Sequence, residues 1–285
     1  MDCKYCQSTE IVKFGKSQGK QCYFCKTCKH KFVGNNNFVK MRTKSNVIVT
    51  SIDLYFEGLS VRKVQRQIAK IFEVKVSQVS IWKWVMKYSA LAKAFVDTLT
   101  LQLAGQWHVD ETMIKCDGNY KWFWEMIDNE TKFMIATHLS GGRTIKEALS
   151  IFKQAKERAS EKPNKIMTDG LWAYEKAFKK IFYSRYKEDK VELIRRVGIR
   201  TRETNNVVER LHGTLKDRLK PMRGLKSEET AQTFLDGWFV FYNFLRPHQS
   251  LNGNTPAKIS GVNIEFESWK FMIQKATKFQ AVNST

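Results

Sequence analysis

WHVDETMIKCDGNYKWFWEMIDNETKFMIATHL, running from Trp107 to Leu139, decides how the rest of this chain is read. Trp107 to Asp110, Lys121 to Ile127 and Phe133 to Leu139 are short runs rich in aromatic and branched side chains. Asp117-Gly118-Asn119 and Asp128-Asn129 part them, and both are turn formers, so the stretch predicts a three-stranded meander. Downstream the pattern alternates. A helix from Thr144 to Ala159, a short apolar strand Lys165-Ile166-Met167, a helix from Ala173 to Phe182 and a strand Val191-Glu192-Leu193-Ile194 follow in turn. Two more helices, Asn205 to Leu219 and Glu228 to Leu245, complete the pattern. A meander followed by alternating strands and helices predicts an α/β domain over 98–285, a mixed sheet flanked by helices.

Three acids in this region call for an explanation. Asp110 lies inside the first apolar strand, where a carboxylate is costly to bury without a partner. Asp169 follows the Lys165–Met167 strand. Glu209 sits on a helix whose Val208, Leu211 and Leu215 form a packing stripe, and His212 and Lys216 share its side. Bringing three carboxylates together costs on the order of 1 to 4 kcal/mol per close pair at the dielectrics of a protein surface. Divalent cations reverse that sign. Two Mg²⁺ or Mn²⁺ ions per site, held by Asp110, Asp169 and Glu209, suit hard oxygen ligands and an in-line phosphodiester displacement. Taken singly, each acid also fits a cap, a turn or a surface position, and Asp169-Gly170 fits a plain turn.

Ahead of this domain, five of the six cysteines fall in the first 28 residues. Cys3-x-x-Cys6 and Cys25-x-x-Cys28 have the spacing that lets four thiolates close on one structural Zn²⁺. Cys22-x-x-Cys25 shares that spacing; Cys25 and Cys28 are preferred because Cys22 follows Gln21 in a strand leading into the knuckle. Residues 1–40 therefore predict a zinc ribbon, ended by the turn-forming Gly34-Asn35-Asn36-Asn37. From Lys4 to Lys44 ten Lys or Arg face Glu10 alone, which suits phosphate contact or a merely solvated basic scaffold. Residues 41–97 read as a compact helical domain with Ser60 and Ser77 as N-caps. Val64, Ile68 and Ile71 mark the second helix, and Ile81, Val85 and Tyr88 the third. In a helix-turn-helix, Gln78, Ser80 and Lys83 of the third helix would face bases in a major groove. An ordinary three-helix bundle is the alternative, and Trp82 and Trp84 require at least one indole to pack inside.

Composition points the same way. Lys and Arg total 49 against 28 Asp and Glu, a formal charge of +21, which predicts a polyanionic partner. No run of 18 apolar residues suggests a membrane span, and the opening Met1-Asp2-Cys3 does not resemble a secretory leader. A cytoplasmic, nucleoid-associated protein is expected, acting on double-stranded DNA. Cys116, alone in an apolar stretch, reads as a small buried hydrophobe.

Local contexts add a resemblance. Trp107-His108-Val109-Asp110-Glu111-Thr112, Thr168-Asp169-Gly170 and Asn205-Asn206-Val207-Val208-Glu209-Arg210 resemble, in order, the three catalytic motifs of DDE-type insertion-sequence transposases. Tyr242 to Leu251, YNFLRPHQSL, followed by Thr255-Pro256-Ala257, is similar to their closing signature. The resemblance spans roughly 100 to 262. It implies a ribonuclease-H-like, integrase-like core and a homodimer or higher homo-oligomer. The N-terminal domains would bind inverted-repeat ends, and the core would cut a strand and join its 3′-hydroxyl to target DNA. It makes Asp110, Asp169 and Glu209 the metal ligands. Glu209 lies 40 positions after Asp169, more than the group leads one to expect, which implies an insertion before the last catalytic helix. Between Arg195 and Lys226 ten basic residues face three acids, so Arg210 and Lys216 are expected on the DNA backbone. His248 either sits near the site or packs below it. Two rivals remain: a zinc and helix-turn-helix regulator with a non-catalytic core, and a structure-selective nuclease.

Overall fold

The computed structural model describes residues 3, 5–6, 8–17, 20–33, 38, 41–103, 105–186, 190–195, 206–264 and 266–283. The linker expected at Gly34–Asn37 and the start of the helix expected at Asn205 lie outside them. The chain divides into two compact units, Met1–Thr98 with Phe266–Thr285, and Leu99–Glu265.

The first unit opens with a small antiparallel sheet of β1 (Ile11–Ser17), β2 (Lys20–Cys25) and β3 (Lys31–Val33) in that order. Three helices follow: α1 (Ser45–Phe56), α2 (Val61–Phe72) and α3 (Gln78–Val96). Ser60 and Ser77 cap α2 and α3, accepting from the amides of Lys63 and Ser80, which satisfies donors that the helix itself leaves unpaired. Val64, Ile68, Ile81, Val85 and Tyr88 are buried as their spacing predicts, whereas Ile71 is 57% exposed. Trp84 packs inside and Trp82 is half-buried. A last helix, α9 (Trp269–Asn283), also belongs to this unit. Residues 266–283 therefore group with the first unit, although the α/β domain was expected to run over 98–285. The physical reason is the stripe Trp269, Met272, Ile273 and Ala276, all buried, which needs an apolar partner. It finds one on α1 and α3: Trp269 stacks on Phe56 with ring centroids 5.3 Å apart.

In the second unit, a five-stranded mixed sheet has the order β6-β5-β4-β7-β8. The meander is β4 (Gln106–Cys116), β5 (Asn119–Asp128) and β6 (Met134–Ser140). Its first turn places Asp117 and Gly118 at φ 52° and 75°, the left-handed pair that a two-residue hairpin demands and that Asp-Gly adopts at little cost. β7 (Lys165–Thr168) runs parallel to β4, and β8 (Glu192–Arg195) parallel to β7. Around the sheet lie α4 (Ile145–Arg158), α5 (Trp172–Ile181), α6 (Asn206–Leu219), α7 (Glu228–Val240) and α8 (Pro256–Ile259).

The sheet's two faces are told apart by their contacts. Trp124 of β5 meets Tyr174 of α5, while its neighbour Glu125 meets His212 of α6. Because side chains alternate along a strand, α5 and α6 cover opposite faces. No helix among the described residues is long and apolar enough to cross a membrane.

α7 continues into a π-helical turn, Phe241–Leu245, that delivers Asn243 to the outer strand. Its fully buried amide accepts from Met134 N at 2.8 Å and donates to Met134 O at 2.9 Å, standing in for a neighbouring strand at the edge of β6. Asn243→Ala leaves both buried backbone groups without partners and is expected to cost roughly 2 to 4 kcal/mol. Denaturant unfolding measures this, and a loss under 0.5 kcal/mol would contradict that role. His248 is buried, and burial lowers its pKa to about 4. The neutral ring's Nε2 lies 3.0 Å from the Tyr242 carbonyl, a structural bond that pins the end of the π turn.

Candidate active site and cysteine cluster

The candidate site starts from strand register. β7 lies beside β4 with Met167 level with His108, and it ends at Thr168. Asp169, the next residue, therefore comes level with Asp110, at the point where β4 runs on without its parallel neighbour. Carboxylates from both faces of β4 can reach into that notch. Asp110, Glu111 and Asp169 each offer an oxygen there, all within 4.8 Å of one another.

Asp110 is half-buried on the α6 side, opposite Glu125 across the β4–β5 pair. Burial raises its pKa to about 6, and the charges of Glu111 and Asp169 add to that, against the pull of His212 and the Glu111 amide. The Glu111 amide donates to Asp110 Oδ1 at 2.9 Å. His212 Nε2 stands 2.9 Å from Glu125 Oε2. Burial pulls the His212 pKa down, but Glu125 and Asp110 outweigh it and raise the imidazole above its ordinary value.

Glu111 is committed on the other face. Tyr174 donates its hydroxyl to Glu111 Oε2, and Arg143 pairs with Oε1. Burial raises the Glu111 pKa, in spite of these two donors. Tyr174 is fully buried, which pushes its own pKa well up and keeps the hydroxyl a donor. Arg143 also reaches Asp169 Oδ2 at 3.2 Å, so one guanidinium offsets the repulsion between two acids. Asp169 Oδ1 accepts the Leu171 amide at 2.9 Å, which holds the carboxylate at the entry to α5.

Of the three acids singled out by sequence, the structure thus brings Asp110 and Asp169 together. Glu209 is not in that set; it is exposed in the first turn of α6, one turn before His212. Glu111, Glu125, Arg143 and Tyr174 escaped the sequence reading. Glu125 carried a usable signal, an acid in the middle of an apolar strand like Asp110. Among the basic residues, Arg210 and Lys216 are exposed on α6, whereas Arg218 is buried over the Phe234 ring.

At the other end of the chain, Cys3, Cys6, Cys25 and Cys28 place their sulfurs within 4.8 Å of one another. Cys3 and Cys28 are 3.6 Å apart, and Cys6 and Cys25 3.5 Å. Cys22 lies outside that set, in β2 opposite Val33. The two knuckles repeat one pattern: Cys3 receives the amides of Tyr5 and Cys6, and Cys25 those of Thr27 and Cys28. Burial acts to raise the Cys25 thiol, but these amides and the Cys6 thiol hold it down at about 6. Phe32, Tyr5, Tyr23 and Ile11 pack around the sulfurs. Away from the cluster, Gln78 and Lys83 are exposed at the start of α3, with Ser80 half-buried. Gln78 Nε2 donates to Gln65 of α2 at 3.1 Å.

On this mixed sheet, acids gathered where one parallel strand ends beside another that runs on offer a hard-oxygen donor set of the kind that metal-dependent phosphoryl-transfer cores use. Residues 104–248, just over half of the chain, match the DDE domain of the IS240 transposase type. The chain belongs to this family and is a DDE-type transposase enzyme. It is also 24% identical to the uncharacterized protein MJ0017 of Methanocaldococcus jannaschii over 222 residues, 76% of this chain and 95% of that one. Among solved structures it is similar to the HTLV-2 integrase catalytic core domain in complex with magnesium, at 19% identity and a TM-score of 0.43, covering 57% of this chain and 98% of that one. It is likewise similar to the simian T-cell lymphotropic virus intasome in complex with a PP2A regulatory subunit, at 12% identity and a TM-score of 0.43, covering 74% of each chain.

Proposed function

We propose that this transposase binds inverted-repeat ends of a mobile DNA element, cleaves a strand there and joins the freed 3′-hydroxyl to target DNA. The observation that carries the reading is the convergence of Asp110 and Asp169 from adjacent strands in a chain of the DDE family. Their oxygen donor set, at half-buried positions where like charges repel, suits hard divalent cations. Mg²⁺ or Mn²⁺, two per site, would supply Lewis acidity for an attacking oxygen and for the leaving one.

Within that scheme Asp110, Asp169 and Glu209 hold the metal. Glu209 is preferred over Glu111 as the third acid because both Glu111 oxygens are already engaged, by Tyr174 and Arg143. Glu209 shares its side of α6 with His212, whose ring lies within electrostatic reach of Asp110. Arg143 orients Glu111 and Asp169, and the Glu125–His212 pair braces α6 against the sheet beneath Asp110. Cys3, Cys6, Cys25 and Cys28 hold one structural Zn²⁺, a role that the doubled amide-to-sulfur pattern supports. α2 and α3 serve as a helix-turn-helix, with Gln78, Ser80 and Lys83 toward the bases and Arg210 and Lys216 on the backbone. The protein works as a homodimer or higher homo-oligomer at the nucleoid, in the cytoplasm.

The test takes labelled DNA from the element's termini with a supercoiled plasmid in Mg²⁺. Joined products support the proposal; cleavage at any branched DNA without joining marks a nuclease; binding without either marks a regulator. In the same assay Glu209→Gln is expected to lose joining roughly a thousandfold. Its stability should stay within about 0.5 kcal/mol of the parent, as for an exposed side chain. Glu111→Gln is expected to lose stability, since Arg143 and Tyr174 lose a charged partner, while retaining measurable joining. The reverse outcome would make Glu111 the third acid.

A further inference from the structure

On the side of α6 away from His212, a cavity of about 440 Å³ opens within the second unit. Val207, Arg210, Leu211 and Thr214, spaced as one helical face, form one wall. The segment after the π turn forms the other, with Arg246, Gln249 and Ser250, and Lys132 of the β5–β6 turn closes it. The described residues lining it include three cations and no Asp or Glu.

Gathering cations from three distant parts of the chain is unfavourable on its own. Lys132 shows the strain electrostatically. Burial lowers its pKa, and Arg210 lowers it further, against the opposing charge of Asp128. Its Nζ is anchored on the Asn129 carbonyl at 2.5 Å, which holds the ammonium in place rather than letting it swing to solvent. An anion would relieve the repulsion. Two guanidiniums with hydroxyl and amide donors beside them match the oxygens of a phosphate better than the flat pair of a carboxylate. Arg210 directly follows Glu209, so the cavity flanks the acid-bearing turn without sharing its side chains.

We propose that this cavity is a separate seat for one backbone phosphodiester of the bound DNA, gripped by Arg210 and Arg246 with Lys132 as the third charge. The proposal rests on the chain acting on DNA, as above. It fixes where a strand passes behind α6 while a neighbouring part of it meets the acids.

The full chain is titrated with DNA carrying an element terminus at several salt concentrations. Arg210→Gln and Arg246→Gln are each expected to lower the slope of log affinity against log salt by about 0.9, the share of one phosphate. The double variant is expected to lower it by the same amount, because both side chains share that phosphate. Arg246→Lys, which keeps the charge, should keep the slope, and thermal unfolding checks that each variant folds. Lys153→Gln, on the outer side of α4, should leave the slope unchanged. A scan of single methylphosphonates should find one position that weakens wild-type binding about tenfold or more and leaves the double variant indifferent. Salt slopes unaltered in both glutamine variants would overturn the proposal. So would thermal stabilisation of the wild type by inorganic phosphate with those slopes unaltered, which would assign the cavity to a free anion. If the wild type itself shows no salt-dependent DNA binding, the functional reading falls and this seat with it.

Discussion

Asp110→Asn is expected to bind element termini with unchanged affinity and to lose Mg²⁺-dependent strand joining by roughly a thousandfold or more, as the loss of several kcal/mol of transition-state stabilisation requires. The same substitution should make the metal-free protein more stable. Asp110 has its pKa raised by burial from 3.8 to about 6. An acid that holds its proton more tightly when folded contributes no penalty below pH 4. Its penalty grows as pH rises through that window and is complete above about 6. At pH 7 the asparagine variant should therefore gain on the order of 1 to 2 kcal/mol, an amount reduced from the full linkage value because the carboxylate is partly open to water. At pH 4 the two proteins should be equally stable. His248 acts in the opposite sense for both proteins. With its pKa depressed to about 4 by burial, it costs stability as pH falls from about 6.5 toward 4. The difference between variant and parent, measured by urea unfolding at pH 4 and pH 7 with chelator present, removes the His248 contribution and reports Asp110 together with its coupling to His212, Glu111 and Asp169. Equal activity of the two proteins would remove Asp110 from the metal site.

Cys25→Ser is expected to abolish zinc retention, taking the purified chain from one equivalent to none by elemental analysis. Among the described residues of the first 33, the buried cluster holds little besides the sulfurs and a few rings around them, so this segment has almost no apolar core of its own. Structural zinc in segments of this size supplies about 10 to 16 kcal/mol, which is folding free energy. Loss of the metal should thus melt β1 to β3 and weaken binding to element termini, while α1 to α3 and the five-stranded sheet stay folded. Cys22→Ser, outside the sulfur set, should keep its zinc. A serine variant of Cys25 that retained a full equivalent would refute the four-thiolate assignment.

Much of the second unit was legible because its signals are local. Asp117-Gly118 and the aromatic runs around it specify a hairpin within a dozen residues, and Thr144 with Glu147 forms the capping box that starts α4. Asp169 was legible as the residue that follows a short apolar strand, expected over Lys165–Met167 and found to run to Thr168. What sequence could not show depends on register between distant segments. Alternation along β4 sends Asp110 and Glu111 to opposite faces, which argues against their meeting. They converge only because β7 stops at Thr168 and leaves a notch. Arg143 and Tyr174 are ordinary residues of a loop and a helix until that notch exists. α3 runs to Val96, past Tyr88, the last position that marked it in the sequence, because Ala90, Ala92 and Ala94 carry the helix on without a strong apolar rhythm. Ile71 was counted with the core on spacing alone, yet α2 turns that last position outward.

The return of α9 to the first unit has a practical side. Residues 99–265 form an insert entered and left through the same body, so the chain crosses between units twice. A single nick at either crossing would leave the two bodies joined by the other strand of polypeptide. A fragment stopped at 265 keeps every acid of the catalytic unit but strips Phe56 of its stacked indole. Domain dissection of this transposase therefore calls for an internal deletion, with 98 spliced to 266, rather than a terminal truncation.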